Sequence, residues 1–188
     1  MDRRMLLART GASLCVGAAA GCLGGLGGDD GEIPDPIDLS GQKLDDRGGM
    51  VIGQHGGPNG QLFYADHSPD GHDNPAWFHT LSFGLFPYYF EHREWTAEAI
   101  YATDYSIVEF EVTERNGRKT LPAPTDAETF GDAKQLFYVI ESDVEGGMGP
   151  ELIPFSKQAD AESFREDHGG RIAEFGDVTP ELLADYTG

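Results

Sequence analysis

The chain has 188 residues and a formal net charge of −20, from 33 acidic against 13 basic side chains. So strong a negative field repels nucleic acid and anionic membrane surfaces, which excludes a nucleic-acid-binding protein and favours a soluble monomer. The acids are spread along a chain that also contains 11% aromatic residues, which argues against disorder. The charge instead indicates adaptation to high salt, as in halophilic archaea, where screening shortens the reach of the repulsion.

The N-terminus has the features of an export signal. It reads MDRRMLLARTGASLCVGAAAGC, with paired arginines, a short apolar stretch and small residues before a cysteine. This pattern is typical of Tat signals. The last four residues resemble a lipobox, so we expect a signal peptide over residues 1–21 and a lipid on Cys22 that anchors the protein to the outer face of the cytoplasmic membrane. Plain signal-peptidase cleavage beside an incidental cysteine is the alternative.

Residues 22–43 are rich in Gly, Asp and Pro and predict a flexible tether. The remaining part of the chain has about 145 residues, enough for one domain or two small subdomains with a shared core. Cys15 is removed with the signal and Cys22 carries the lipid. The folded part therefore contains no thiol, which excludes a disulfide, a zinc–cysteine site and a cysteine nucleophile.

The first half, residues 44–106, is predicted to contain two strands around a helix. The run QLFYAD is typical of a strand. Asn74 and Pro75 form a helix start, and apolar residues at helical spacing continue the helix until Pro87 ends it. AIYATDYS then predicts a buried strand.

The second half, residues 107–188, repeats this order. Apolar and polar residues alternate along SIVEFEVTE, and the pair Asn116-Gly117 indicates a tight hairpin. KQLFYVIESD and PELIPF predict strands, and Ser156 is the expected cap of a helix that Gly169 ends. RIAEFG and ELLADY predict a last strand and a last helix. Because both halves contain strands around a helix in the same order, a repeated α+β unit is expected.

The methionines are few and similarly placed. Met1 and Met5 lie in the signal, and Met50 and Met148 each follow two glycines. A thioether is a soft ligand that selects Cu(I), and outside the cell it resists oxidation better than a thiol. Glycines before each Met let the backbone turn sharply and leave the sulfur accessible. Packing of both side chains as core fillers beside turns is the alternative.

The histidines could complete such a site. His168 is the first candidate, because it lies on the same helix face as Ala161 and Phe164, at the end of the helix. A histidine favoured by the helix dipole is the alternative. His55, five residues after Met50, is the second candidate. The other four are expected to be solvated or to pack on the first helix: His67 and His72 in a polar loop, His79 and His92 on the helix.

Enzyme signatures are missing from the sequence. It contains no nucleophile elbow, zinc-protease motif, P-loop or dinucleotide fingerprint. Pairs of acidic residues are not evidence for a catalytic site in so acidic a composition. We therefore do not expect an enzyme.

Several motifs, taken in order, resemble the NosL family, copper lipoproteins that accompany nitrous oxide reductase. They are GGMVIG with GQLFY, FHTLSFGLFPYYF, GGMGPELIPF and ADAESFREDHGGRIAEF. The resemblance implies an α+β fold of two small repeated ββαβ-like units, similar to organomercurial lyase. It also implies one Cu(I), held by Met50, Met148 and His168, for delivery to nitrous oxide reductase or another copper enzyme or transporter.

One departure concerns the metal. The family commonly has Cys-x-x-Cys-Gly-Met, where this chain has Asp45 and Gly48 ahead of Met50. The expected function is therefore a membrane-anchored Cu(I) metallochaperone without a thiolate. The alternative is a metal-free binding or assembly lipoprotein. A lyase-type enzyme by fold analogy is disfavoured, because that chemistry needs cysteine thiolates.

Overall fold

The computed structural model describes residues 33–187, so the expected signal peptide, Cys22 and the start of the tether lie outside the described residues. The strands are β1 (Gly60–Tyr64), β2 (Ala76–Phe78), β3 (Ala97–Thr103), β4 (Thr113–Arg115), β5 (Arg118–Thr120), β6 (Phe130–Asp132), β7 (Phe137–Ile140), β8 (Val144–Gly146), β9 (Gly149–Pro150), β10 (Ile153–Phe155) and β11 (Arg171–Glu174). The helices are α1 (Phe86–Glu91), α2 (Gln158–His168) and α3 (Pro180–Thr187). Within residues 33–187, no helix has the length and apolar character needed to cross a membrane.

Two units of this α+β fold share one topology. In the first, β1 is central, pairs antiparallel with β2 and β3, and a helix connects those two neighbours. In the second, β7 is central, pairs antiparallel with β10 and β11, and α2 connects them. Each unit thus has the ββαβ order, and β8 and β9 are inserted between β7 and β10.

The helix predicted from Asn74 begins later than expected. The Asn74 side chain bonds backbone oxygens of β1 and the following loop, so it does not cap a helix. Carboxylates of residues 45 and 46 accept the N–H groups of His79 and Trp77, which keeps residues 76–79 extended. A π-helical segment, Leu81–Leu85, then leads into α1, where Pro87 lies in the first turn. Proline is tolerated there because that N–H has no partner within the helix.

The two units share a core and a sheet. The largest buried cluster joins Leu62 and Phe86 of the first unit to Tyr138 and Ile140 of the second. β6, which precedes the second unit, pairs with β3 and extends the first sheet to the order β2-β1-β3-β6. Neither unit therefore buries its apolar face alone.

Packed structure is present before residue 44, the predicted start of the first half. Leu39 is fully buried against Ile52 and Phe130. The backbone N–H and C=O of Ile37 bond the side chain of Gln61. Apolar residues at 37 and 39 therefore attach the last part of the predicted tether to the first sheet.

A small sheet of order β4-β5-β8-β9 carries Met148. The β4–β5 hairpin turns at Asn116 and Gly117, both at positive φ, as the sequence predicts. β8 pairs in parallel with β5 and antiparallel with β9, and Met148 lies in the tight connection between β8 and β9. The β8–β9 hairpin lies against the first unit, and Gly147 at its tip is next to the ring of His79.

Candidate metal-binding site

The loop that carries Met50 is organised by one buried carboxylate. Asp45 is 4% exposed, and its Oδ1 accepts the backbone N–H groups of Arg47, at 2.8 Å, and Gly48, at 2.6 Å. The backbone of Asp45 exchanges two further hydrogen bonds with Gly49 and Met50. Met50, at the end of this closed turn, is half-buried.

The second oxygen of Asp45 holds His79. Oδ2 accepts the backbone N–H of His79 at 2.7 Å and lies 2.6 Å from its ring Nδ1. Burial acts to raise the pKa of the Asp45 carboxyl, but hydrogen bonds from His79, Gly48 and Arg47 outweigh it and hold that pKa below its usual value. The carboxylate is therefore ionised, and His79 is the donor at Nδ1.

The other ring nitrogen of His79 lies between the two Gly-Gly-Met segments. A Cβ atom on Gly48 would lie 3.5 Å from His79 Cε1 and 3.9 Å from Met50 Cγ. A Cβ atom on Gly147 would lie 3.4 Å from His79 Cδ2. Cε1 and Cδ2 are the two carbons bonded to Nε2, so glycines from both segments flank this nitrogen.

His79 Nε2 is buried and has no hydrogen-bond partner, although the residue is only 4% exposed. Leaving a buried polar atom unpaired costs about 1–3 kcal/mol, so this nitrogen calls for a ligand. Within residues 33–187, no three His, Cys, Asp or Glu side chains converge to hold a metal ion. An ion at His79 would therefore need methionine sulfur, and an imidazole with two thioethers is a soft, neutral donor set that suits Cu(I).

Met148 and His55 form the exposed side of this site. Met148 is 49% exposed, and the ring of His55 lies 6.0 Å from that of His79, edge-on. The His55 loop packs closely on the β8–β9 hairpin: a Cβ on Gly57, at φ +93°, would meet Gly146 Cα at 2.8 Å. A cavity of about 230 Å³ opens beside His55 and Gly147. His55, the second candidate from the sequence, thus lies next to the site.

A second buried carboxylate, Glu151, ties the hairpin to the helix that follows His79. Its oxygens accept the N–H groups of Leu81, Ser82 and Leu152, at 3.3, 2.8 and 3.0 Å. Ser82 Oγ in turn donates to the carbonyl of Pro150. Burial raises the pKa of Glu151 to about 7, against these hydrogen bonds, which act to lower it.

His168 lies in a different environment. Its ring packs on Phe164, with centroids 4.6 Å apart, and its Nδ1 lies 3.3 Å from a carboxylate oxygen of Asp143. This Nδ1 is also buried and makes no hydrogen bond within residues 33–187, but it lies away from both Gly-Gly-Met segments. His168 and Phe164 line a cavity of about 270 Å³ next to α2. The contacts described for His168 are made with these neighbours, and none joins it to Met50 or Met148. Its role as a ligand stays a prediction.

His79 and Asp45 were not predicted as site residues from the sequence. His79 was expected to pack on a helix, because the apolar spacing around it matches helical periodicity. Asp45 was noted only as the residue at the position of a family cysteine. The available signal was the pair Asp45-Asp46 just ahead of Gly-Gly-Met, since a carboxylate that is folded into a turn can also orient a histidine.

Known proteins resemble this chain over much of its length. The family model for NosL matches residues 36–183, most of the chain. A copper-binding lipoprotein NosL of Stutzerimonas stutzeri is 33% identical over 67 residues, which is 36% of this chain and 35% of that protein. A protein of the same name from Achromobacter cycloclastes is 38% identical over 52 residues, 27% of each chain. These two matches therefore span about a third or less of the relatives' lengths.

The fold is also found among solved structures. The crystal structure of the copper chaperone NosL from Shewanella denitrificans superposes with a TM-score of 0.60 and 23% sequence identity. The superposition covers 76% of this chain and 94% of that one, so the two proteins share the fold. Since the family model extends through both units, the chain belongs to the NosL family.

Proposed function

We propose that this chain binds one Cu(I) ion as cargo, through the thioethers of Met50 and Met148 and Nε2 of His79. The observation that carries the proposal is the buried, unpartnered Nε2 between the two Gly-Gly-Met segments. The copper-binding names of two relatives support the choice of metal. The neutral soft donor set supports the oxidation state, since Cu(II) and harder ions prefer nitrogen and oxygen ligands.

The proposed site is suited to passing the ion on. His79 is buried, Met50 is half-buried and Met148 is half-exposed, so the donors are graded from the interior to the surface. An incoming ligand can displace the Met148 sulfur first and His79 last. We therefore propose delivery to an exported copper enzyme such as nitrous oxide reductase, or to a copper transporter, with the lipid on Cys22 holding the chaperone at the outer face of the cytoplasmic membrane.

Anaerobic titration against a coloured Cu(I) chelator tests the site. Met50→Leu, Met148→Leu and His79→Ala should each remove most of the Cu(I) affinity. The Leu variants should lose less than about 1.5 kcal/mol of stability, because Leu and Met have similar volumes. The double Met variant should lose little more affinity than either single variant, since residues of one site are not additive. X-ray absorption of the loaded wild-type protein should show both sulfur and nitrogen neighbours.

His168→Ala provides the comparison with the ligand suggested by the family resemblance. If His79 is the imidazole ligand, His168→Ala retains Cu(I) binding where His79→Ala loses it. The reverse result would restore His168 to the site. An unchanged Cu(I) stoichiometry and affinity in the double Met variant would refute the copper site and favour a metal-free binding lipoprotein.

A further inference from the structure

Asp45 contacts the segments of two proposed ligands at once. Its Oδ1 accepts two N–H groups of the turn that ends at Met50, and its Oδ2 accepts the backbone N–H of His79 and lies 2.6 Å from the ring Nδ1. Three backbone N–H donors thus converge on one carboxyl group that is 4% exposed, and a histidine ring nitrogen is its fourth neighbour. Hydrogen bonds from several backbone N–H groups stabilise the charged form of a carboxyl group, so this geometry favours the ionised form.

The ionised carboxylate decides which nitrogen of His79 is open. A carboxylate only accepts hydrogen bonds, so the ring proton must be on Nδ1. Nε2, between Gly48 and Gly147, then carries a lone pair. In the other tautomer, Nδ1 would oppose the carboxylate and a proton would occupy the buried, partnerless Nε2.

We propose that Asp45 is the positioning residue of the metal site: it fixes His79 in the Nδ1–H tautomer and supplies the one negative charge that balances a bound monovalent ion. This inference rests on the proposed function. Two thioethers and a neutral imidazole leave a bound Cu(I) with its full positive charge, which is costly next to a buried ring. The only cysteines are Cys15 and Cys22, so residues 33–187 offer no thiolate to offset it.

The neighbouring residue provides a matched control. Asp46 also holds a histidine: its Oδ1 lies 2.8 Å from His72 Nε2, and its Oδ2 accepts the N–H of Trp77 at 2.7 Å. The other ring nitrogen of His72 lies 2.8 Å from the carbonyl oxygen of Asp73, and the ring stacks on Trp77 at 3.8 Å. Both nitrogens of His72 are therefore engaged. Asp46→Asn removes the same charge, one residue away, without altering an open nitrogen.

Asp45→Asn is expected to reverse the tautomer. If the Asn oxygen keeps the turn N–H groups, its NH₂ group replaces Oδ2. The backbone N–H of His79 then loses its acceptor, and His79 Nδ1 must accept a hydrogen bond from the amide. The ring proton moves to Nε2 and blocks the metal position. Because partners of this kind typically affect metal affinity 10–100-fold, we expect Asp45→Asn to weaken Cu(I) binding by about that factor and Asp46→Asn by less than about threefold.

The test uses the full chain in four forms: wild type, Asp45→Asn, Asp46→Asn and His79→Ala. Ring ¹⁵N chemical shifts of the metal-free protein report the His79 tautomer, and anaerobic chelator competition reports Cu(I) affinity. Thermal unfolding confirms that each variant is folded. A tautomer change in Asp45→Asn together with the selective loss of affinity supports the proposal, because a merely structural role would not move the ring proton.

Two results would overturn the inference. One is an Asp45→Asn protein that keeps wild-type affinity while His79→Ala loses it, which leaves the proposed copper function intact. The other is a protonated Nε2 in the metal-free wild type, which decides the matter even if Asp45→Asn does not fold. If His79→Ala binds Cu(I) as the wild type does, the ligand set of the proposed function fails as well.

Discussion

Glu151 makes the stability of this protein depend on pH near neutrality. The folded chain raises the pKa of this buried carboxyl from 4.5 to about 7, mainly through burial. Between these values the native state holds a proton that the unfolded chain has lost, so stability falls as pH rises through this window. The difference of about 2.5 pH units, at about 1.4 kcal/mol each, gives an upper limit of about 3.5 kcal/mol.

Glu151→Gln removes this titration. The amide oxygen can still accept the N–H groups of Ser82 and Leu152, so the variant should fold. We expect the free energy of unfolding of the wild type to fall by up to about 3 kcal/mol relative to Glu151→Gln between pH 4 and pH 8. Denaturant unfolding at one fixed ionic strength gives the free energy of unfolding of both proteins at each pH. Subtracting the two values cancels the contribution of the other acids, which both proteins share.

Glu109→Gln is the matched control, because Glu109 is exposed in the folded chain. It should follow the wild-type pH dependence. If the wild type and Glu151→Gln have parallel stability profiles from pH 4 to pH 8, Glu151 ionises at the same pH in the folded and unfolded states. Burial would then not raise its pKa, and the reasoning would be refuted.

Three further outcomes are expected. Gly170→Ala should destabilise the fold by more than about 2 kcal/mol in denaturant unfolding, since Gly170 has φ +88° and a Cβ would lie 2.2 Å from the Ile140 carbonyl oxygen. Gly71→Ala is the control and should cost less, because Gly71 has a positive φ but no atom close to an added Cβ. Phe155→Ala, 1% exposed in the second core, should cost about 3–5 kcal/mol by the same assay, and a loss below about 1 kcal/mol would contradict its packing. Cys22→Ser should release the protein from the membrane fraction without unfolding it, whereas continued sedimentation at high salt would contradict the lipid anchor.

The repeated topology could be predicted because its signals are local. Continuous apolar runs identify β1, β7 and β10, and the Asn116-Gly117 hairpin requires only its two residues. The first helix was misplaced because the carboxylates of Asp45 and Asp46 act on it from some 30 residues away. A contact with so distant a residue does not change the spacing of apolar residues in the segment that it holds extended.

The site could be predicted only in part for a similar reason. Met50 and Met148 share a motif, and the structure brings the glycines before both next to one histidine ring. The choice of His79 depends on which unpartnered imidazole nitrogen lies beside both Gly-Gly-Met segments, and that depends on the packing of two loops and a hairpin around the ring. Helical spacing instead favoured His168, which packs on its own helix beside Phe164.

The pairing of β6 with β3 has a consequence for the order in which parts of the chain can fold. β3 is a seven-residue strand whose outer edge is covered, over Tyr101–Thr103, by residues 130–132. A nascent chain that has not yet reached β6 exposes this edge, and an unpaired apolar edge is a template for aggregation. The first unit therefore cannot be finished until the chain has been synthesised beyond β3 as far as β6, just ahead of the second unit.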